Sequence, residues 1–165
     1  MRLAVAALAA AAVAAPAQAY DVRGVGLGAS EEGVRARFPQ AQCRPMEWQS
    51  AAADRRCDDP KVELGGVAAR VTFYLKGGAV QAFDVRFDVK DTERLAAHLK
   101  ARYGAPAAET REPLPARGER PPREVYRLQW RKGEARAVLT AIKDRRRGSF
   151  TVSRGDFEEE IYRVR

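Results

Sequence analysis

The chain contains 165 residues, of which 30 are lysine or arginine and 22 are aspartate or glutamate, giving a net charge of +8. This length fits one domain of ordinary size. The surplus of arginine indicates either attraction to acidic partners or a composition that keeps a small protein in solution.

Residues 1–19 have the pattern of a secretory signal peptide. Arg2 follows the first methionine, an apolar run extends from Leu3 to Ala15, and Pro16-Ala17-Gln18-Ala19 supplies an Ala-x-Ala cleavage site. The run is shorter than the roughly 20 residues that span a bilayer, so a cleaved signal is favoured over an uncleaved anchor. The sequence therefore predicts cleavage after Ala19, a single domain over residues 20–165, and a periplasmic or secreted protein with no transmembrane segment after cleavage.

The predicted export limits the anionic partners that the positively charged protein can meet. Residues 20–104 carry a net charge of +2 and residues 105–165 a net charge of +5. Outside the cytosol the available anions are membrane surfaces, cell-wall polymers and acidic proteins, so no nucleic-acid partner is predicted.

Cys43 and Cys57 are the only cysteines. In an oxidising compartment, two thiols separated by a short polar segment are expected to form a disulfide, worth on the order of 3 kcal/mol in the chain-entropy model. A redox or nucleophilic cysteine is the alternative, but neither a C-x-x-C spacing nor a neighbouring histidine accompanies them. Residues 40–61 are therefore predicted to form an extended strand or loop that is stapled at its ends.

A short helix is predicted soon after the mature start. Ser30 is a good N-cap, Val34 and Phe38 share one helix face, and Pro39 ends the helix. The preceding Gly24–Ala29 segment matches the G-x-G-x-x-G/A pattern of dinucleotide loops, but the pattern of a parallel βαβ unit does not follow it. No cofactor is therefore predicted.

The most regular pattern lies between Ala69 and Val89 and predicts a β-hairpin. Apolar residues alternate with polar ones on both sides of Gly77-Gly78, a pair that enters positive φ without steric cost. The alternation also predicts one wet face, which carries the polar residues of both strands: Arg70, Thr72, Tyr74, Lys76, Asp84, Arg86 and Asp88.

A second helix is predicted from Asp91 to Tyr103, ended by Gly104 and Pro106. His98, the only histidine, lies off the apolar stripe of this helix and is expected to be solvated. Residues 105–123 contain five of the nine prolines and are predicted to form a mobile loop or linker, with a binding arm that orders on contact as the alternative.

Further strands are predicted in residues 126–152, with turns at Lys132-Gly133 and at the basic tip that precedes Gly148. Residues 156–165 fit either a helix or an edge strand. Both halves of the chain thus have a short helix, a connection and a hairpin. The predicted fold class is α+β, with an antiparallel sheet built from two helix-plus-hairpin units and the helices packed on one face.

The segment Gly28-Ala29-Ser30-x-x-x-Val34-x-x-x-Phe38-Pro39 resembles the helix of small periplasmic α+β modules of the BamE/SmpA outer-membrane-assembly lipoprotein family. The tandem arrangement is similar to that of β-lactamase inhibitor proteins. This resemblance implies a sheet whose open face or loops bind another protein, without catalysis. The chain differs from the lipoproteins because it has no cysteine at its predicted mature start.

The residues suggest no catalytic constellation of nucleophile and base, paired carboxylates or metal ligands. The chain is therefore predicted not to be an enzyme, and no catalytic, cofactor-binding or metal-binding residue is assigned. The predicted function is an exported binding module that recognises a protein of the cell envelope or exterior through the polar sheet face and loops. Inhibition of a secreted enzyme is one form of this function.

Two groups of residues form the candidate partner-binding surface. The first group lies on the predicted wet face of the strands and comprises Arg70, Tyr74, Arg86, Arg127 and Arg131. The second group is the basic tip of Arg145, Arg146 and Arg147. Together with the arginines of residues 105–123, the second group supports an alternative function, electrostatic binding of anionic envelope polymers or of a membrane surface, which salt would weaken.

Overall fold

A computed structural model of the chain describes residues 19–116, 118 and 122–161. The predicted signal peptide, apart from Ala19, lies outside the described residues, as do Arg117, residues 119–121 and residues 162–165. Strands account for 53% of the described residues and helices for 19%, so the fold is mainly β. In this described part, no helix has both the length and the apolar character needed to cross a membrane.

The elements follow one another along the chain as two halves, and in each half a helix is followed by four strands. The first half comprises β1 (Asp21–Val22), β2 (Val25–Gly26), α1 (Glu31–Arg37), β3 (Gln42–Pro45), β4 (Arg55–Leu64), β5 (Val67–Lys76) and β6 (Ala79–Asp88). After a 3₁₀ turn at Val89–Asp91, the second half comprises α2 (Thr92–Tyr103), β7 (Ala108–Leu114), β8 (Arg123–Lys132), β9 (Ala135–Ile142), β10 (Arg147–Arg154) and α3 (Phe157–Glu160).

Eight of the strands form one antiparallel sheet in the order β3-β4-β5-β6-β10-β9-β8-β7. The two halves of the chain meet at the centre of this sheet, where β6 pairs with β10. Strands β1 and β2 form a separate two-stranded ribbon. Within the eight-stranded sheet, the strand that follows α1 or α2 lies at an edge and the last strand of each half lies at the centre, so β3 and β7 are the two sheet edges.

The predicted α+β class with two helix-plus-hairpin units is wrong. Four strands, rather than one hairpin, follow α1, and four more follow α2. Two of the additional strands have weak sequence patterns. The alternation in β4 is interrupted by a register shift between Asp59 and Val62, and β7, within the proline-rich stretch, is an edge strand whose residues are mostly exposed. Neither strand therefore shows the regular apolar alternation that marks β5 and β6.

The main core lies between one face of the sheet and a cover made of α1, α2 and the β1–β2 ribbon. Its centre is a run of phenylalanine rings in which Phe38 contacts Phe73 at 5.1 Å, Phe73 contacts Phe83 at 5.9 Å, and Phe83 contacts Phe150 at 6.4 Å between centroids. Leu99 of α2 packs into the same core. Burial of each of these side chains contributes about 1.5–3 kcal/mol relative to an exposed position.

Two local predictions are confirmed. Strands β5 and β6 form the predicted hairpin, and its turn residues Gly77 and Gly78 have φ of +58° and +79°. The helix cap is also present, because the Ser30 hydroxyl oxygen accepts the Gly33 N–H at 3.0 Å. Short-range patterns of alternation and capping were sufficient for both features.

The predicted disulfide is confirmed. Cys43 of β3 and Cys57 of β4 lie directly opposite each other in the register of the two strands, with their Cα atoms 3.9 Å apart. The bond holds the four-residue edge strand β3 against the ten-residue strand β4. A disulfide is consistent with an oxidising compartment, whereas the signal peptide and the location stay predictions.

The prediction that His98 is solvated is wrong. Its ring is half-buried against Gly65 in the turn between β4 and β5, and its Nε2 is buried without a hydrogen-bond partner. A Cβ at Gly65 would lie 2.3 Å from Cγ of His98. Since Gly65 also has a φ of +59°, the close approach of the imidazole requires glycine at this turn.

Candidate functional site

The open face of the sheet is the face opposite α1 and α2. In β5, Val71 and Phe73 point into the main core, whereas the alternating residues Arg70, Thr72 and Tyr74 lie on the other side. The register continues this alternation across all eight strands. The polar residues of the open face on the flanking strands include Gln42, Arg44, Arg56, Asp58, Asp84, Arg86, Ser149, Thr151, Arg136, Thr140, Arg127, Gln129, Arg131 and Thr110.

A row of alternating aspartate and threonine crosses the middle of the open face. Asp58, Thr72, Asp84 and Thr151 lie opposite one another on β4, β5, β6 and β10. The Thr72 hydroxyl donates to Asp58 at 2.7 Å, and the Thr151 hydroxyl donates to Asp84 at 2.9 Å. We call these four residues the Asp–Thr row. It links both halves of the sheet through side chains as well as through the backbone.

The Asp–Thr row fixes arginines on either side of it. Arg56 donates Nε–H and Nη2–H to the two oxygens of Asp58 at 2.8 and 2.9 Å, and Arg86 donates Nε–H to Asp84. Burial alone would raise the pKa of Asp58, but the hydrogen bonds from Arg56 and Thr72 outweigh it and hold that pKa below its ordinary value. Asp58 is therefore a charged anchor that orients a guanidinium group.

Three pairs of arginines lie directly opposite each other on neighbouring strands of this face. The register pairs Arg44 with Arg56, Arg70 with Arg86, and Arg131 with Arg136. Like charges placed opposite each other destabilise a sheet, and the measured range for such cross-strand terms is about 0.2–1 kcal/mol. Carboxylates offset part of this repulsion: Asp58 pairs with both members of the first pair, and Asp84 and Glu158 each pair with one member of the other two.

Several arginines of the open face are not held by an ion pair. Arg70, Arg127 and Arg131 form no ion pair with any residue that the structure describes. Arg86, by contrast, is held by Asp84, with its side chain 49% exposed. The face thus presents fixed and free guanidinium groups side by side, a surface complementary to carboxylates or phosphates.

Helix α3 and the segment before β4 cover one end of the open face. The ring of Phe157 lies 5.5 Å from the ring of Tyr74, and Trp48 donates its indole N–H to the carbonyl of Ile161 at 2.9 Å. These residues belong to a small apolar cluster on this side of the sheet. At the same end, Nη1 of Arg136 lies 3.7 Å from Oε2 of Glu158, so α3 brings both an aromatic ring and a carboxylate to the face.

The structure brings together some of the predicted site residues and separates others. All five residues of the first candidate binding group lie on the open face, although Tyr74 is half-buried under α3. Arg145 and Arg146 lie in the turn before β10, and Arg147 begins that strand. Arg70, Arg86, Arg146 and Arg147 line one hollow, whereas Arg127 and Arg131 lie on β8, beyond β10 and β9.

Sequence reasoning missed several contributors to the open face. Asp58 and Arg56 belong to β4, for which the sequence predicts only a segment stapled by the disulfide, and Thr151 belongs to β10. The signal that points to them is the alternation of Arg56 and Asp58 with the buried residue Cys57. Their pairing with β5 depends on strand register, which the sequence pattern did not specify.

One group of potential metal-ligand atoms lies outside the open face. Atoms of Glu31, Cys43 and Cys57 are within 4.8 Å of one another. The two sulfur atoms are joined in the disulfide and have no thiolate to offer a metal. Hydrogen bonds from Arg55 and then Arg35 hold the pKa of Glu31 below its ordinary value, so its carboxylate is already engaged.

A larger cavity, of about 1120 Å³, lies beside the β1–β2 ribbon, and Ala19 is among the residues that line it. Its charged groups are mostly engaged: Arg102 binds Asp21 at 2.6 Å, and the Lys132 ammonium lies 5.5 Å and 5.8 Å from the ring centres of Tyr20 and Tyr103. These contacts hold the predicted mature start against α2 and β8. The charged groups around the cavity therefore have a structural role.

No protein-family model matches the chain, and no curated protein or solved structure matches it either. The function must therefore be argued from the open face itself.

Proposed function

We propose that the protein is a binding module of the cell envelope or exterior whose open face recognises an acidic surface on another protein. The three directly opposed arginine pairs carry this proposal. A partner that places carboxylates between opposed guanidinium groups would turn their mutual repulsion into attraction on both sides. In two of the pairs, one member already has an acidic partner, so such a partner's carboxylates would chiefly engage the other member, Arg70 or Arg131.

The fixed arginines support specific rather than diffuse recognition. Asp58 holds Arg56 through two hydrogen bonds, and Asp84 holds Arg86, so these side chains lose little freedom when a partner arrives. Arginine and tyrosine are also residue types that often dominate the binding energy of protein interfaces.

Helix α3 supports a particular chemistry for the partner. It packs Phe157 against Tyr74 and places Glu158 beside Arg136, so an aromatic ring with a neighbouring carboxylate already fits one end of the face. A partner segment with the same combination suits the uncovered remainder around Arg127 and Arg131. If that partner is a secreted enzyme and the open face covers its active site, the module would inhibit it.

The proposal is tested by isolating a partner and measuring its affinity. The full chain is expressed with its own N-terminal segment, the processed protein is purified from the envelope, and partners captured from an envelope extract are washed at low and high salt. A retained protein is then identified, purified and titrated calorimetrically against the module. If it is an enzyme, its activity is measured with and without the module.

A charge-matched pair of variants decides whether the open face is responsible. The variant Arg127→Gln/Arg131→Gln removes two unpaired charges from the face, and Arg37→Gln/Arg154→Gln removes two from outside it. We expect the first variant to weaken the complex by about tenfold or more and the second to leave it nearly unchanged. Equal weakening in both variants, or a partner whose binding neither variant alters, would contradict the proposal.

A further inference from the structure

At the end of the open face away from α3 there is a hollow of about 250 Å³ with four arginines in its lining. Arg70 and Arg86 come from the opposed pair on β5 and β6, and Arg146 and Arg147 come from the turn and the first residue of β10. Three separate segments of the chain thus deliver guanidinium groups to one place. The sequence placed these residues in two unrelated groups.

The positive charge of the hollow is only partly compensated. Asp88 is the single acidic residue in the lining, and its carboxylate already accepts the Lys90 N–H and lies 3.5 Å from the Lys90 ammonium. Asp84 engages Arg86 from the side of the Asp–Thr row. Arg70 and Arg147 form no ion pair with any described residue, so at least two guanidinium groups remain available to bind an anion.

We propose that this hollow binds a phosphoryl group, as presented by a phosphate monoester. A carboxylate has one charge and two oxygens, which a single guanidinium fork satisfies. A phosphate monoester has close to two charges and three free oxygens at neutral pH, and several forks are needed to engage them. Four arginines around one small hollow match the second group better than the first.

The site goes beyond the protein-binding function proposed above and does not depend on it. Two kinds of molecule present such a phosphoryl group, a free small phosphate ester and a lipid with the same group at a membrane surface. Both present the same oxygens to Arg70 and Arg147, and they differ in whether a surface must approach the turn that carries Arg146.

The experiment compares probes and variants at constant ionic strength. Glycerol phosphate and acetate are titrated into the processed protein by calorimetry, and sedimentation measures binding to phosphatidylcholine vesicles with and without phosphatidic acid. The test variant is Arg70→Gln/Arg147→Gln, and the charge-matched control is Arg127→Gln/Arg131→Gln. Circular dichroism and thermal unfolding verify the fold of each variant, and Arg146→Gln/Arg147→Gln replaces the test variant if that variant unfolds.

We expect saturable binding of glycerol phosphate or of phosphatidic acid vesicles, no comparable binding of acetate, and a loss of about tenfold or more in the test variant. The control variant should keep nearly the full affinity. Absence of saturable binding to both phosphate probes, or the same loss in both variants, overturns the inference. Loss of the protein complex in Arg127→Gln/Arg131→Gln without loss of phosphate binding would separate the two proposals.

Discussion

Thr151 of β10 donates its hydroxyl proton to Asp84 of β6 at 2.9 Å, across the line where the two halves of the sheet meet. Asp84 is only 9% exposed, so the hydrogen bond lies in a place where water cannot readily replace it. The Asp–Thr row therefore contributes to the joint between the halves as well as to the open face.

We predict that Thr151→Val lowers the free energy of unfolding by about 1–2 kcal/mol, because a nearly buried carboxylate loses a donor while the side-chain shape is kept. Thr140→Val is the matched control: Thr140 is a residue of the same type on the same face, and its hydroxyl donates to no described residue. Urea denaturation of both variants measures the difference. Equal losses would show that the Thr151 hydroxyl contributes nothing through Asp84.

Neutralising one member of an opposed arginine pair should stabilise the isolated protein. Arg70→Gln relieves the repulsion from Arg86, and we expect a gain of about 0.2–1 kcal/mol at low salt. Salt screens the same repulsion, so the gain should shrink as ionic strength rises. Thermal unfolding at low and high salt measures it, with Arg37→Gln on α1 as the control. If Arg70→Gln instead lowers the free energy of unfolding at low salt, repulsion between Arg70 and Arg86 does not destabilise the protein.

Stability should fall in acid partly through Asp58. Its pKa is lower in the folded than in the unfolded chain, so its contribution is fully present above the ordinary carboxyl pKa of about 4 and is lost as pH falls through the folded value. We predict that Asp58→Asn and Arg56→Gln each make the free energy of unfolding less dependent on pH below about pH 5. Denaturant titrations at several pH values measure these slopes. The double variant should show no further flattening, and an additive effect would place the acid sensitivity elsewhere.

Loss of the disulfide should destabilise the edge of the sheet. The two cysteines are 14 residues apart in sequence, so the variant Cys43→Ala/Cys57→Ala is expected to lose on the order of 3 kcal/mol in the chain-entropy model. Hydrogen exchange should localise the effect to β3 and to its pairing with β4. Unchanged protection of the amides in β3 would contradict the assignment.

The contact between Gly65 and His98 predicts a difference between two adjacent glycines. Both Gly65 and Gly66 have positive φ, but a Cβ at Gly66 has nothing within 4 Å, whereas a Cβ at Gly65 meets the imidazole. Gly66→Ala should cost about 1–2 kcal/mol for the backbone alone, and Gly65→Ala should cost more.

Replacement of His98 tests whether the extra cost of Gly65→Ala is a steric clash with the imidazole. In a His98→Ala background, the difference between Gly65→Ala and Gly66→Ala should shrink, because the ring atoms Cγ and Cδ2 are gone; part of it should remain, because the Cβ of residue 98 still lies 2.7 Å from the new methyl group. Chemical denaturation of the five variants measures this coupling. A difference that is just as large without the ring would show that the imidazole contributes nothing to the extra cost.

The sequence predicted the features that depend on neighbours along the chain. The β5–β6 hairpin, the Ser30 cap and the disulfide are all marked by short-range patterns of alternation, capping or spacing. The polar face of β5 and β6 followed from the same alternation, and the arginines of β8 were correctly placed on that face.

The rest depends on strand order, which short-range patterns do not contain. Thr151 meets Asp84, and Arg146 approaches Arg70, only because β10 pairs with β6 rather than remaining beside β9 alone. The wrong fold class has a related cause. An edge strand such as β7 has few buried positions, so it lacks the apolar periodicity that identifies strands with a covered face.

The cross-strand disulfide also protects the edge of the sheet against self-association. Without it, the short strand β3 is held by few contacts, and its departure would uncover the unpaired backbone groups of the ten-residue strand β4. Such an edge is a template for another extended chain, so copies retained in a reducing compartment should associate with one another. For this fold, oxidation is therefore a safeguard against self-association as well as a source of stability.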